Sequence, residues 1–245
     1  MKTPAETKRW VSYIDIEGFG SLYDQDNGGV LLALCELMRA IFLIAEKYCA
    51  ESPDRIFAHQ SGDGFAVVGE FNSESWLTPV AITVALLRHV AWGGRFAKAT
   101  LGEGEFMDIT DCYPKLVLNA RDESGTVRMG GSVMTLFPVM GTALIDAVGI
   151  QKRAPSGALF AISADNCGRI PANCVLKVNT DLRVATIDWV GCRLEEIERI
   201  QAVAGLRAPT PDNLRDCYAK YVREFPPPEK WTKDTTEYAG LRAIA

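Results

Sequence analysis

The segment that most narrows the choice of fold runs from Arg55 to Phe71, RIFAHQSGDGFAVVGEF. Two short runs of aromatic, β-branched and small residues meet there at Gly62, Asp63 and Gly64. Such a pair predicts a β-hairpin with a tight turn and a carboxylate at its tip. A lone hairpin is marginal in water, so its flanks decide the architecture. Upstream, Trp10 to Ile16, WVSYIDI, predicts a strand ending in Asp15 and Ile16, and residues 28 to 50 predict a long helix. Downstream, Trp76 to Ala91 has apolar residues at helical spacing, and Phe96 to Leu101 predicts a strand closing on Gly102 and Gly104. Strand, helix, hairpin, helix, strand is the order of a ferredoxin-like βαββαβ core, an antiparallel sheet with helices on one face. The expected fold class is α+β.

Residues 103 to 132 are rich in Asp, Glu, Gly and Arg and poor in periodicity, so they are expected to form an insertion or long loop. Beyond them the pattern predicts a helix over 141–153, strands over 158–162 and 184–189, and helices over 195–204 and 211–225. The chain divides on this reading into a core domain, residues 1–165, and a C-terminal α/β extension, residues 166–245, packed on it. With 48% hydrophobic residues in 245, there is ample material for a buried core.

A net charge of −5 gives no footprint for nucleic acid, which is bound through clustered Lys and Arg. A polyanionic ligand would need a local device such as metal ions. Seven cysteines without a C-x-x-C pair argue against a disulfide framework and a structural zinc site, and fit a reducing compartment. The polar N-terminus lacks the apolar run of a signal peptide. The apolar stretch from Val30 to Ala50 is interrupted by Glu36, Arg39, Glu46 and Lys47, which predicts a buried helix rather than a membrane span. A cytoplasmic protein with no membrane partner is expected.

Asp15 at a strand end and Asp63 at a hairpin tip would lie on neighbouring strands of one sheet, where their carboxylates could converge on divalent metal ions. Mg²⁺ and Mn²⁺ prefer oxygen ligands, so the Ile16 carbonyl could join the pair. The turn that follows, Glu17-Gly18-Phe19-Gly20-Ser21, is glycine-rich and precedes a helix, which suits backbone N–H contacts to phosphate. Taken singly, each Asp reads more readily as an ordinary turn residue than as a metal ligand.

Together, Tyr13-Ile14-Asp15-Ile16-Glu17-Gly18-Phe19 and Ser61-Gly62-Asp63-Gly64-Phe65 resemble the two metal-binding motifs of class III nucleotidyl cyclases. Phe96 to Glu103 is similar to that family's next strand, and Val139-Met140-Gly141-Thr142 resembles the turn before its catalytic helix. The resemblance covers residues 10 to 165 and implies a class III cyclase core. It makes Asp15 and Asp63 catalytic residues that hold two Mn²⁺ or Mg²⁺ ions per site, with the Ile16 carbonyl as a further ligand. It implies attack of a ribose 3′ hydroxyl on the α-phosphate of a nucleoside triphosphate, with pyrophosphate released, and a homodimer with sites at the interface. Gly18, Phe19 and Gly20 would contact the nucleotide.

The positions that read a purine base in the family are His59 and Pro138 here, and neither supplies the usual hydrogen-bond pattern. Phe57 shares the face of His59 by two-residue alternation and joins the expected base pocket. Ile145 and Gly149 stand where the family places Asn and Arg on its catalytic helix. Lys152 and Arg153 are expected to supply the missing cation, with Lys98 and Arg95 as alternatives. This combination resembles the bacterial pyrimidine cyclases of the Pycsar anti-phage system. It implies that UTP, or less readily CTP, is converted to a cyclic monophosphate that acts through a separate effector protein. The alternatives are a purine cyclase and a degenerate module that binds nucleotide without turnover. His89, Trp189 and Trp231 are assigned to packing.

Overall fold

The computed structural model describes residues 7–51, 56–123, 125–136 and 139–241. Strand β1 (Thr7–Ile16) leads into helix α1 (Phe19–Leu43), which continues through one π-helical turn at Ile44–Tyr48. The hairpin is β2 (Ile56–Ser61) and β3 (Gly64–Glu70), followed by α2 (Leu77–Trp92) and β4 (Ala97–Asp108). These four strands pair antiparallel in the order β2-β3-β1-β4, the ferredoxin-like arrangement expected from the sequence. The fold class is α+β.

The sheet does not stop at the core. Strand β8 (Phe160–Ser163) adds to β4 in parallel, and β10 (Val184–Ile187) and β9 (Val175–Asn179) follow it at the edge. Residues 166–245 therefore lengthen the same sheet. Their helices α5 (Glu195–Ala204), α6 (Pro211–Glu224) and α7 (Glu229–Ala239) contribute Ile197, Tyr218 and Trp231 to the main apolar cluster.

The two sheet faces differ. Trp10, Ile14 and Ile16 of β1 point into the large core under α1 and α2. Val11 points to the other face, into a small cluster with Ala66, Val68 and Phe106. That cluster is covered by helix α4 (Thr142–Arg153), which follows the short strand β7 (Val139–Met140). The alternation along β1 is thus a division between two cores.

Two expectations from the sequence need correction. Residues 103–132 are not one long loop: β4 runs on to Asp108, paired with β1 as far as Thr7 against Phe106. Gly102 does not end the strand. A Cβ there would lie 2.5 Å from the Ala147 nitrogen, so the glycine admits α4 onto the sheet. The rest of the segment holds a short helix α3 (Lys115–Asn119) and a separate hairpin, β5 (Thr126–Met129) with β6 (Ser132–Thr135). The first helix begins at Phe19 rather than near residue 28. It is kinked at Asp26, whose carboxylate accepts the Gly29 N–H at 3.1 Å and pairs with Arg95.

By length and composition, Phe19–Tyr48 is apolar enough to cross a membrane. In the fold its buried residues, among them Leu22, Val30, Leu37 and Ile41, belong to the main core.

Candidate active site

Asp15 sits between two cross-strand neighbours, Gly64 on β3 and Lys98 on β4. The hairpin tip is a two-residue loop, Gly62-Asp63, with Gly62 at φ +64, a left-handed conformation that glycine adopts without steric cost. The Ile16 N–H reaches the Asp63 carbonyl at 3.5 Å, which draws the tip against the end of β1. Gly64 has a different task. A Cβ there would lie 2.7 Å from the Ile14 carbonyl oxygen and 2.9 Å from Asp15 Oδ1, so only glycine leaves room for the Asp15 carboxylate. The first glycine of the motif shapes the turn and the second clears space for the acid.

The electrostatics around this pair are unbalanced. Burial pushes the Asp15 carboxyl up to about 6, the charge of Asp63 adds to the rise, and Lys98 opposes it. Burial likewise pushes Glu17 up to about 7, against a hydrogen bond from Trp231 and the charge of Lys98. The Tyr13 hydroxyl is raised by burial and then by Asp15 and Asp63. Glu17 and Asp15 thus face the Lys98 ammonium, and Asp63 adds a further negative charge beside Asp15. Lys98 Nζ already donates to the carbonyls of Pro155 at 2.8 Å, Gln151 at 3.3 Å and Ala154 at 3.5 Å.

Surplus negative charge on hard oxygen donors is what a divalent cation neutralises. Among the described residues, no group of three or more His, Cys, Asp or Glu side chains is arranged to hold a metal ion. Two carboxylates with a neighbouring backbone carbonyl nevertheless fit Mg²⁺ or Mn²⁺, which keep several positions for water and phosphate oxygens. Gly18 lies at the start of α1 with φ +72 and carries no side chain to cap the first turn, whose N–H groups stand three residues from Asp15. Phe19 packs on Tyr23, and a Cβ at Gly20 would meet nothing within 4 Å, so the turn is open there.

The other residues marked in the sequence fall in several places. His59 pairs with Ala66 and Phe57 with Val68, and by alternation both share the sheet face of Asp15 and α4. Their rings stand 6.1 Å apart and nearly perpendicular, Phe57 packs on Phe106 at 5.0 Å, and burial lowers the His59 pKa. Beside them a cleft of about 320 Å³ opens between Tyr13, Ser61 and Ala66 on the sheet and Leu144 and Val148 on α4. Pro138 lies outside the described residues. Lys152 and Arg153 are exposed on the last turn of α4, and Arg153 Nη1 lies over Gly149. Arg95 stacks on Phe225 at 4.1 Å and is paired with Asp26 rather than with Asp15 or Asp63. The cation brought beside Asp15 is Lys98. A larger cavity of about 680 Å³ opens between Trp10 and Trp76, at the end of β1 remote from Asp15.

Glu17, Tyr13 and Trp231 complete the surroundings without having been marked as site residues. Glu17 carried a local signal, since it directly follows Asp15-Ile16. Trp231 carried none, because its indole reaches Glu17 across 214 residues of sequence.

No protein-family model matches the sequence, and no curated protein matches it. Among solved structures, the chain is similar to a bacterial light-regulated adenylyl cyclase at TM-score 0.46 and 13% identity, covering 83% of this chain and 58% of that one. It is similar to the guanylyl cyclase Cya2 at TM-score 0.42 and 11% identity, over 76% of this chain and 94% of that one. A class III adenylyl cyclase-like ATP-binding protein from Pseudomonas aeruginosa gives TM-score 0.43 and 12% identity, over 80% and 41%. The chain therefore spans little more than half the length of the light-regulated cyclase.

Proposed function

We propose that this chain is a metal-dependent nucleotidyl cyclase that converts a nucleoside triphosphate to its cyclic 3′,5′-monophosphate and pyrophosphate. The observation that supports the reading is that Asp15, paired with Gly64 beside the hairpin tip, feels the charge of Asp63 there, close in sequence to the start of α1. Asp15, Asp63 and the Ile16 carbonyl hold two Mn²⁺ or Mg²⁺ ions. When bound, such ions neutralise the triphosphate and favour ionisation of the attacking 3′ hydroxyl. The N–H groups of the Gly18-Phe19-Gly20 turn receive phosphate oxygens. Catalysis is assigned to residues 1–165, with 166–245 as the extension that continues their sheet.

The base lies against Phe57, His59 and Pro138, and UTP is favoured over CTP because these side chains lack the donor and acceptor pattern of a purine reader. Lys152 and Arg153 supply positive charge from the last turn of α4, and Lys98 supplies it from β4. The chain acts as a cytoplasmic homodimer with sites at the interface. Exposed Ile145, on the helix α4 that covers the sheet face carrying Asp15, is apolar surface for a second copy. The cyclic product acts through an effector protein in anti-phage defence.

The test is incubation of the purified protein with Mn²⁺ and each of ATP, GTP, CTP and UTP, with products identified by chromatography and mass. Cyclic UMP or CMP is the expected product. Cyclic AMP or GMP would keep the chemistry and overturn the base assignment. Ile145, 67% exposed where the family's catalytic Asn would stand, favours a second reading, a nucleotide-binding module without turnover. Metal-dependent nucleotide binding with no product from any of the four would establish that reading instead.

A further inference from the structure

Helix α7 grips the strand end that carries Asp15 from two sides. On one side Trp231 donates its indole N–H to Glu17 Oε2, while its ring packs on Tyr218 and Tyr221. On the other, Asp234 accepts the Ser156 N–H at 3.1 Å and the Ser156 hydroxyl at 2.8 Å, and Thr235 Oγ1 accepts the Ala158 N–H at 3.1 Å. Ser156 directly follows Ala154 and Pro155, whose carbonyls hold Lys98 Nζ. One C-terminal helix therefore fixes both charged side chains that flank Asp15, although it lies far from β1 in sequence.

Glu17 has two courses open to it. Two residues from Asp15, its carboxylate lies near enough to feel the charges of Asp15 and Asp63, which help raise its pKa, and would be a third oxygen donor if it turned toward them. A buried carboxylate instead keeps the orientation in which it has a hydrogen-bond donor, and the indole N–H is that donor. We propose that Trp231 is a positioning residue of the carboxylate site: it holds Glu17 out of the Asp15–Asp63 pair, which leaves coordination positions open for phosphate oxygens. This deepens the cyclase reading above and rests on it.

Trp231→Phe removes the donor and keeps an aromatic ring. Freed, Glu17 turns toward the pair, and because added ligand charge tightens divalent-ion binding, the variant binds Mn²⁺ several-fold more tightly than wild type. Its kcat falls, with KM changing less, because the third carboxylate occupies positions the substrate needs. The Mn²⁺ dissociation constant is read from the free-ion electron paramagnetic resonance signal, without turnover. Glu17→Gln is the decisive background, since the gain from Trp231→Phe vanishes there if Trp231 acts through Glu17. A structural role for Trp231 would instead weaken Mn²⁺ binding by the same factor in both backgrounds, and that result overturns the assignment. Trp231→His, which keeps a ring N–H donor, restores wild-type affinity and carries the test if the Phe variant does not fold; tightened binding in the His variant also overturns it. Absence of Mn²⁺ binding by the wild-type protein would instead overturn the metal-site reading itself.

Discussion

Two buried cations in this protein are held in the same way and differ in what surrounds them. Arg88 on α2 donates to the carbonyls of Trp189 at 2.8 Å, Val190 at 3.1 Å and Cys192 at 2.6 Å. Lys98 on β4 donates to three carbonyls at the end of α4. Each is 9% exposed or less and ties a core element to a loop that would otherwise bury unpaired carbonyls. Burial lowers both pKa values, and nearby acidic groups oppose the fall in both. For Arg88 these are the Cys192 thiol and then Asp188, with Cys174 and Glu198 after them, whereas for Lys98 they are the carboxylates of Glu17, Asp15 and Asp234. The same device is a staple at one seam and part of an unbalanced charge cluster at the other.

The largest effect belongs to the acids. Asp63→Ala is expected to lower cyclase turnover by about 10³-fold, or ~4 kcal/mol, the scale of losing metal-held charge stabilisation. The same change should leave the melting temperature close to wild type, because Asp63 sits at a half-exposed tip outside both apolar clusters. A collapse of stability in parallel with activity would refute this division. Arg88→Met should do the reverse, costing about 3 kcal/mol or more in denaturant unfolding by leaving buried carbonyls unpaired, with little change in Mn²⁺ affinity. Lys98→Met should cost stability on a similar scale and also alter Mn²⁺ binding, since it removes the ammonium beside Asp15. If both variants altered metal binding equally, the contrast between the two cations would fail.

A smaller effect is expected at Gly64. Gly64→Ala forces a Cβ against the Ile14 carbonyl and Asp15 Oδ1, so about 1–3 kcal/mol of stability is lost to overpacking. Activity should fall further than stability alone explains, because the displaced group is the Asp15 carboxylate. Gly62→Ala, by contrast, strains the turn at φ +64 without touching Asp15, since a Cβ there meets nothing within 4 Å. Comparison of the two variants separates clearance for the acid from turn geometry.

These comparisons also mark what the sequence disclosed. The βαββαβ core was legible because its strands are short aromatic and β-branched runs, its helices are apolar, and the Gly62-Asp63 turn is a local hairpin signal. The placement of Asp15 at a strand end and of Asp63 at a hairpin tip was legible for the same reason, each lying in a compact motif. Two element boundaries were not legible. Gly102 looked like a strand end but is a contact surface for α4, and the first helix, expected from residue 28, starts at Phe19 because Asp26 and Arg95 carry α1 through a kink. The β5–β6 hairpin did carry a turn signal, Gly130-Gly131 between its strands, hidden by the polarity around it. The surroundings of the acids were not legible. Arg95, considered as a site cation, is held by Asp26, and Trp231, assigned to packing, both packs in the core and binds Glu17. Such contacts join residues far apart in sequence and leave no periodic trace.

The smallest expected effect tests a buried polar group remote from the acids. His89 on α2 accepts the Arg207 N–H through Nδ1 at 3.1 Å, so its proton is on Nε2, which faces Glu36 Oε2 at 3.2 Å. Protonating Nδ1 would set two N–H groups against each other. Burial lowers the His89 pKa despite the attraction of Glu36, with Arg207 and Arg39 adding to the fall. The folded state thus binds fewer protons than the unfolded chain as pH drops through about 6.5, the ordinary histidine value. Stability from this group is therefore full above that pH and declines below it, by at most about 1.4 kcal/mol per pH unit. Asp15 and Glu17, with raised pKa values, contribute with the opposite sign as pH falls, so the wild-type profile alone mixes the two. The difference in unfolding free energy between wild type and His89→Gln, followed from pH 7.5 to 5.5, isolates the histidine. It should shrink as pH falls, and a difference that stays constant would show that His89 keeps its proton count through unfolding.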